Sequence, residues 1–413
     1  MPRMESCALE EKHRFVLAHL SGEASLAELC RRLGISRMTG YQVIDRYKRG
    51  GLDALREGSH RPLHCPHAMS AEVREMVVAV RRRRPTWGPK KVKAWLEREF
   101  GEMTWPAAST IGELLDREGL TRGRRRRVHA PPRTAPFAAC TAANDVWCAD
   151  LKGWFRTGDG ERCEPLTLQD AASRYLLRVQ GVARRDVERV WPLFDAAFRV
   201  FGLPLAVRHD NGSPFASCGI GGLSPLAVLL IKAGVRPERI DPGRPQQNGR
   251  LERLHRTLKE DTASPPAASL AAQARRFRAF ERIYNEERPH EALDLAVPAD
   301  VYTASPRRWS GRLRSPEYDC GIEVRRVRAT GQIKWSGELV YVSQTLAGEP
   351  LGLEEIADGL WRMTYGPVLL GSIDAGGRLR RPGAARAASS LGALRPSGAA
   401  PPRLGESVTH PAG

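Results

Sequence analysis

Apolar positions early in the chain recur at helical spacing. Leu26, Leu29, Cys30 and Leu33 fall on one helical face. Ser25 and Glu28 bracket the start of that helix as a capping box, and Gly34 can end it in a left-handed conformation. Ser36 then caps a second helix running through Arg49. Helix, short glycine turn, helix is the layout of a helix-turn-helix. A second apolar stripe, Val73, Met76, Val77 and Val80, follows a cap at Ser70 and stops at Pro85. Two further helices, one from Pro89 with Val92, Trp95 and Leu96 inward and one from Ser109 to about Gly119, complete a second helix-turn-helix or winged-helix-like unit.

The periodicity changes after residue 138. Residues 146–151 read as a buried strand that carries Asp150 near its end. Gly158-Asp159-Gly160 marks a hairpin turn, followed by strands near 164–169 and 175–182. Val187, Val190, Trp191, Phe194, Phe198 and Phe201 line a helix, with a kink or late start expected at Pro192. A fourth strand, 205–210, again ends in a carboxylate, Asp210. A helix at 226–233 and a short strand at 235–240 lead to a helix capped by Asn248, with Leu251, Leu254 and Leu258 inward. A basic helix from Ser269 closes before Pro289. The chain then turns β-rich, and a small C-terminal β-barrel is expected at 318–375.

These patterns divide the chain into a helix-turn-helix domain at 1–60, a second such unit at 66–122, a basic linker at 123–137 and an α/β core at 138–300. A linker at 301–317, the β-barrel and a disordered tail at 376–413, rich in Ala, Gly, Pro and Arg, complete it. The fold class is thus multidomain: α, then α/β with a mixed five-stranded sheet, then β.

Charge sharpens the picture. The 413 residues carry a formal net charge of +18, a field that favours a polyanionic partner. Arg124, Arg125, Arg126 and Arg127 lie in a stretch without carboxylates, suited to tracking phosphates. Arg37, Thr39, Gln42 and Arg46 are the groups on the second helix able to meet base edges or phosphates. No apolar run is long enough to cross a bilayer and the N-terminus lacks a signal-peptide core, so a cytoplasmic, nucleoid-associated protein is expected. The eight cysteines form no CxxC pair, and His64, Cys65 and His67 lack a second ligand pair at zinc-finger spacing.

The candidate chemistry is a set of carboxylates. Hard divalent cations take oxygen ligands. Asp150 and Asp210 sit at strand ends, where a pocket can open, and Glu252 sits on a helix that can pack across them. At 3.6 residues per turn Glu252, Arg256 and Lys259 share one helical face, a carboxylate flanked by cations. His209, next to Asp210 on a strand, points the opposite way. His255 reads as a packing or DNA-contacting residue. Asp170 reads as a turn residue, and Glu260 and Asp261 as solvent-facing.

The blocks Trp147-Cys148-Ala149-Asp150, His209-Asp210-Asn211-Gly212 and Pro245-Gln246-Gln247-Asn248-Gly249-Arg250-Leu251-Glu252-Arg253 resemble the DDE motif of bacterial insertion-sequence transposases with an integrase core. Tyr284-Asn285-Glu286-Glu287-Arg288-Pro289-His290 is similar to the end of that core, so the resemblance covers roughly 138–300. It implies an RNase H-like, retroviral-integrase-like fold and Asp150, Asp210 and Glu252 as catalytic residues and metal ligands. It also implies two Mg²⁺ or Mn²⁺ ions per active site, about 4 Å apart, with Asp150 bridging them. The implied reaction is cleavage of transposon ends and strand transfer by a 3′-hydroxyl into target DNA. Double-stranded DNA is the implied partner, bound by a homo-oligomer, with Gln247 and Asn248 near the strand; no membrane and no small-molecule substrate are implied. Two departures stand out. Glu252 lies 42 residues after Asp210, more than in the commonest form of the motif, which a glycine-rich loop at 216–224 accounts for. The zinc-binding N-terminal domain of retroviral integrases is replaced by helix-turn-helix units. The rival readings are a catalytically silent DNA-binding regulator derived from a transposase and a nuclease acting on RNA–DNA hybrids.

Overall fold

The computed structural model describes residues 8–56, 69–121, 140–151, 153–217, 219–240 and 249–381. His64, Cys65, His67, Arg124–Arg127, Gln247 and Asn248 lie outside the described residues. The chain divides into two compact units, 1–70 and 71–413. Among the described residues no helix is long and apolar enough to cross a membrane.

In the first unit α1 (Ala8–Leu20), α2 (Leu26–Leu33) and α3 (Arg37–Gly50) pack around Phe15, Val16, Leu29, Cys30, Val43 and Ile44. The predicted caps form. Ser25 Oγ accepts the Glu28 N–H at 3.3 Å and Ser36 Oγ accepts the Thr39 N–H at 3.1 Å, while Gly34 adopts φ 67°. The Glu28 carboxylate pairs with Arg31 and Arg32 instead of returning to Ser25. The close crossing of α2 and α3 requires Gly40, where a Cβ would meet Cys30 Sγ at 2.5 Å.

The second unit begins with α4 (Ala71–Arg83), α5 (Pro89–Glu99) and α6 (Ala108–Arg117). The described residues 69–121 hold no strand, so the wing of a winged helix is absent there. Trp87 is buried and Trp95 half-buried, in edge contact with it. Polar bonds join these helices to the core: Arg84 pairs with Glu287 at 2.5 Å, Arg98 Nη2 donates to Asp300 Oδ1 at 3.1 Å, and Arg288 donates to Thr86 Oγ1 at 3.3 Å.

The core runs β1 (Val146–Leu151), β2 (Phe155–Arg156), β3 (Arg162–Asp170), β4 (Leu176–Val182), α7 (Val187–Phe201), β5 (Ala206–His209), α8 (Pro225–Lys232), β6 (Arg236–Arg239), α9 (Gly249–Thr262), α10 (Leu270–Arg282) and α11 (Pro298–Val301). Its five main strands lie in the order β4-β3-β1-β5-β6, and the short β2 pairs the start of β3. β1–β3 and β3–β4 are antiparallel, β1–β5 and β5–β6 parallel, giving the expected mixed sheet. Because side chains alternate across a pleat, Trp147 and Ala149 join Val190, Phe194, Phe198, Leu226 and Leu230 on one face. Val146 and Cys148 join Leu251, Leu254, Leu258, Phe277 and Phe280 on the other. The core is therefore helix, sheet, helix. α7 starts at Val187, capped by Asp186, with Pro192 inside it, so the start is not delayed. Segment 302–317 forms no helix or strand, yet it is pinned to the core: Trp309 Nε1 donates to Asp195 at 2.7 Å and Arg307 donates to the Pro204 and Gly234 carbonyls at 2.6 Å each.

β7 (Glu323–Arg326), β10 (Pro350–Ala357), β11 (Leu360–Tyr365), β12 (Val368–Asp374) and β13 (Leu379–Arg380) form a sheet in the order β7-β10-β11-β12-β13, and β8 (Gln332–Trp335) and β9 (Glu338–Tyr341) form a separate hairpin. The expected barrel does not close. The sheet has no need to curl on itself, because its apolar face, with Leu351, Leu353, Met363, Tyr365 and Leu370, shares a core with Ile220, Leu223, Val228 and Ile231 and with Trp335 of the hairpin. Glu349 ties this layer to α8, accepting from Lys232 at 2.6 Å and from the Tyr365 hydroxyl at 3.0 Å. The expected disordered tail is also corrected at its start, since β13 draws 379–380 into the sheet; residues 382–413 lie outside the described residues.

Candidate active site

β1 and β5 run parallel with Ala149 opposite His209. Asp150 and Asp210, one residue further along each chain, therefore stand side by side where the strands end. Both are half-buried. Asp210 Oδ1 accepts the Gly212 N–H at 3.1 Å. A Cβ on residue 212 would sit 3.1 Å from Asp210 Oδ2, so glycine there leaves the carboxylate unobstructed.

α9 lies over this end of the sheet. Leu251, Leu254 and Leu258 are buried as the stripe predicts, and Glu252, Arg256 and Lys259 are exposed. Among the described residues no ion pair joins Glu252 to Arg256, so the surface salt bridge that would be the ordinary use of such a pair is not made. His255 is 1 % exposed. Its Nε2 lies 2.7 Å from Thr167 Oγ1 and its Nδ1 3.4 Å from Asp150 Oδ2. Thr167 is the β3 residue in register with Asp150. The sequence reading of His255 was packing or DNA contact; the structure buries it and adds contact with a carboxylate of the candidate site. The available signal was its place one helical turn after Glu252.

Among the described residues no group of three His, Cys, Asp or Glu side chains is gathered closely enough to hold a metal ion. The structure thus sets Asp150 beside Asp210 and places Glu252 one turn from the histidine that touches Asp150, without drawing the three into one cluster. The donor set, carboxylate oxygen throughout, suits a hard divalent cation.

Arg185, at the head of α7, completes the electrostatics. Its Nε donates to Glu164 Oε1 at 2.7 Å, and that hydrogen bond is the main reason its guanidinium holds its proton more firmly than usual. The charges of Asp210 and Asp150 act in the same direction. Sequence reasoning did not single out Arg185 or Glu164, because nothing in spacing joins residues 21 apart.

The remaining polar residues separate cleanly. His209 is buried, its ring stacked on Phe215 at 5.3 Å and its Nδ1 2.8 Å from the Asp210 carbonyl, and burial pushes its pKa down. Asp170 is fully buried: Oδ1 accepts the Asn144 N–H at 2.7 Å and Oδ2 accepts the Ser173 N–H at 2.8 Å. It ends β3 as a structural residue. Glu260 and Asp261 are both exposed, as expected, and partial desolvation of the Asp261 carboxyl raises its pKa against the opposing charge of Arg288. On α3, Arg37, Thr39, Gln42 and Arg46 are exposed, together with Met38 and Tyr41, which sequence reasoning did not include. The Thr39 hydroxyl lies 2.8 Å from Ser36 Oγ and belongs to the cap.

Residues 233–298 match the integrase core domain family, 11–62 a helix-turn-helix domain family and 39–115 a homeodomain-like domain family. The class so defined is an integrase core preceded by helix-turn-helix segments. The chain is similar to the insertion element IS407 uncharacterized 31.7 kDa protein of Burkholderia multivorans, 29% identical over 245 residues, which cover 58% of this chain and 82% of that protein. It is also similar to the insertion element IS476 uncharacterized 39.2 kDa protein of Xanthomonas euvesicatoria, 26% identical over 294 residues, 70% of this chain and 80% of that protein. The resemblance to insertion-sequence transposases with an integrase core is borne out by these matches. Among solved structures, the HTLV-2 integrase catalytic core domain in complex with magnesium aligns at 14% identity over 39% of this chain and 98% of that one, with a TM-score of 0.32.

Proposed function

We propose that this protein is a DNA transposase, a polynucleotidyl transferase that cleaves transposon ends and joins the freed 3′-hydroxyl to target DNA. The observation that carries the reading is the pair Asp150 and Asp210 on neighbouring strand ends, with α9 docked on Asp150 through His255. Asp150, Asp210 and Glu252 would hold two Mg²⁺ or Mn²⁺ ions, which when bound supply activation of water or a 3′-hydroxyl and neutralise charge on the phosphodiester. Gathering Glu252 to the pair belongs to the state with metal and DNA bound. His255 fixes α9 against the sheet, so that Glu252 needs to move only on its own helix face. Gly212 keeps the Asp210 carboxylate open to solvent. The exposed face of α3 reads the duplex, and Arg256 and Lys259 meet phosphates beside the site. The protein acts as a homo-oligomer on paired ends, in the cytoplasm. The names of its relatives, proteins of insertion elements, support this reading.

The separation of Glu252 from the aspartates favours one rival, a catalytically silent DNA-binding regulator. One assay decides. The purified chain is incubated with Mg²⁺ or Mn²⁺ and a duplex carrying the DNA that flanks its coding region. Metal-dependent nicking and joining are expected, lost in Asp150→Asn while the variant still retards the duplex in a gel. Binding without cutting by the wild type supports the regulator instead, and cutting by Asp150→Asn removes the assignment of Asp150.

A further inference from the structure

Beside the carboxylates lies a small cavity of about 220 Å³, smaller than the roughly 300–1,000 Å³ of ordinary small-molecule sites. Trp154, Phe155, Pro165 and Leu258 supply apolar walls, Lys259 supplies a charged group, and the buried ring of His255 completes the lining. His255 is also the residue whose Nδ1 lies 3.4 Å from Asp150 Oδ2. Trp154 is 52% exposed, an uncommon state for the largest apolar side chain.

The indole is held in place. The guanidinium carbons of Arg162 and Arg156 stand 5.0 and 5.7 Å from its ring centroid. Arg162 is itself anchored, at 3.4 Å, on the fully buried carboxylate of Glu164. The same carboxylate binds Arg185, whose charge is felt at Asp150 and Asp210. One buried acid thus orients a cation toward the candidate active site and another onto the wall of the neighbouring cavity.

We propose that this cavity receives a single unstacked nucleobase of the DNA strand engaged at the carboxylates. The proposal rests on the reading of Asp150 and Asp210 as the place where that strand lies. A base offers flat apolar faces and polar edges, which match an indole wall with a lysine at the margin. Its phosphates would run past Arg156, Arg162 and Lys259, a cluster that favours polyanion over peptide. The cavity has room for one base and not for a pair, so the base must leave its stack to enter, as in enzymes that extrude a nucleotide from the duplex.

The test uses the full chain and a duplex with a short unpaired 3′ overhang that carries 2-aminopurine, a fluorescent base whose emission reports stacking. EDTA is present, so the readout is independent of cleavage. Binding by the wild type is expected to change the emission. Trp154→Ala, an exposed position whose loss leaves no hole in a core, is expected to abolish the change. It should weaken binding of the overhang, relative to a blunt duplex, by roughly tenfold, the scale of one base–aromatic stack. Trp154→Phe should restore most of the signal, and Ala263→Leu, which adds bulk at another lining position, should abolish it. Equal emission changes in the wild type, Trp154→Ala and Ala263→Leu overturn the proposal. So does a change of oligomeric state in these variants with the emission unaltered, which gives the cavity to a second copy of the chain. The two readings fail separately: Asp150→Asn should lose cleavage and keep the base signal, whereas a wild type that gives the base signal but does not cleave with Mg²⁺ or Mn²⁺ removes the chemistry while leaving the base site.

Discussion

Asp150 and Asp170 lie at opposite ends of a strand pairing, and their surroundings assign them different work. Asp170 is fully buried and accepts two backbone N–H groups and the Ser173 hydroxyl. Asp170→Ala would leave those buried donors without an acceptor, at a cost of roughly 3 kcal/mol or more. The expected result is a large drop in melting temperature, whereas Asp150→Asn, at a half-buried strand end, should melt close to wild type. Equal melting of all three proteins would contradict the assignment. Asp150 and Asp210 were legible because each stands at or just beyond the end of a short strand, Val146–Leu151 and Ala206–His209, and an acid at a strand end survives as a pattern in one dimension. His255, Glu164 and Arg185 were not legible as a site, because their partners come from other strands and helices and no local rule links them.

Elements were easiest to read where the chain states its own punctuation. Ser25, Gly34 and Ser36 bound α2 and α3 through hydrogen bonds to residues three positions away or a single left-handed glycine, all local events. The β-barrel was misread because closure depends on what covers the sheet, and the cover comes from α8 and residues 220–223, about a hundred positions earlier. Gly40 is an element-level requirement that spacing does not reveal, since its importance lies in Cys30 and Phe15 across the helix crossing. Gly40→Val should force α2 from α3 and destabilise the first unit by about 1–3 kcal/mol. Thermal unfolding followed by circular dichroism should show an earlier transition for that unit, and an unchanged transition would mean the crossing is looser than described.

The apolar cores of the second unit are supplemented by charged groups from sequence-distant segments, and one of these, Lys91, gives the unit a pH signature. Lys91 on α5 is half-buried near Arg288, Glu291 and Arg253; desolvation first, then the Arg288 charge, bring its pKa from 10.5 down to about 8. Between those two values the unfolded chain still holds the proton and the folded chain has released it, so stability rises with pH across that window. Lys91→Met should therefore raise the melting temperature at neutral pH and flatten the rise at alkaline pH. Melts of both proteins from neutral to pH 10 check this, and a variant that is less stable at neutral pH would contradict it. The central claim is also one of the whole molecule, since it requires acids from β1, from the end of β5 and from α9 to act on one spot. The most direct measurement is a crystal structure of the full chain with Mn²⁺ and a duplex end, read by the anomalous signal of the metal. The account predicts manganese between Asp150 and Asp210, with a Glu252 oxygen at a ligand distance of about 2.1 Å. Manganese bound elsewhere, or Glu252 still turned away from an occupied aspartate pair, would contradict it.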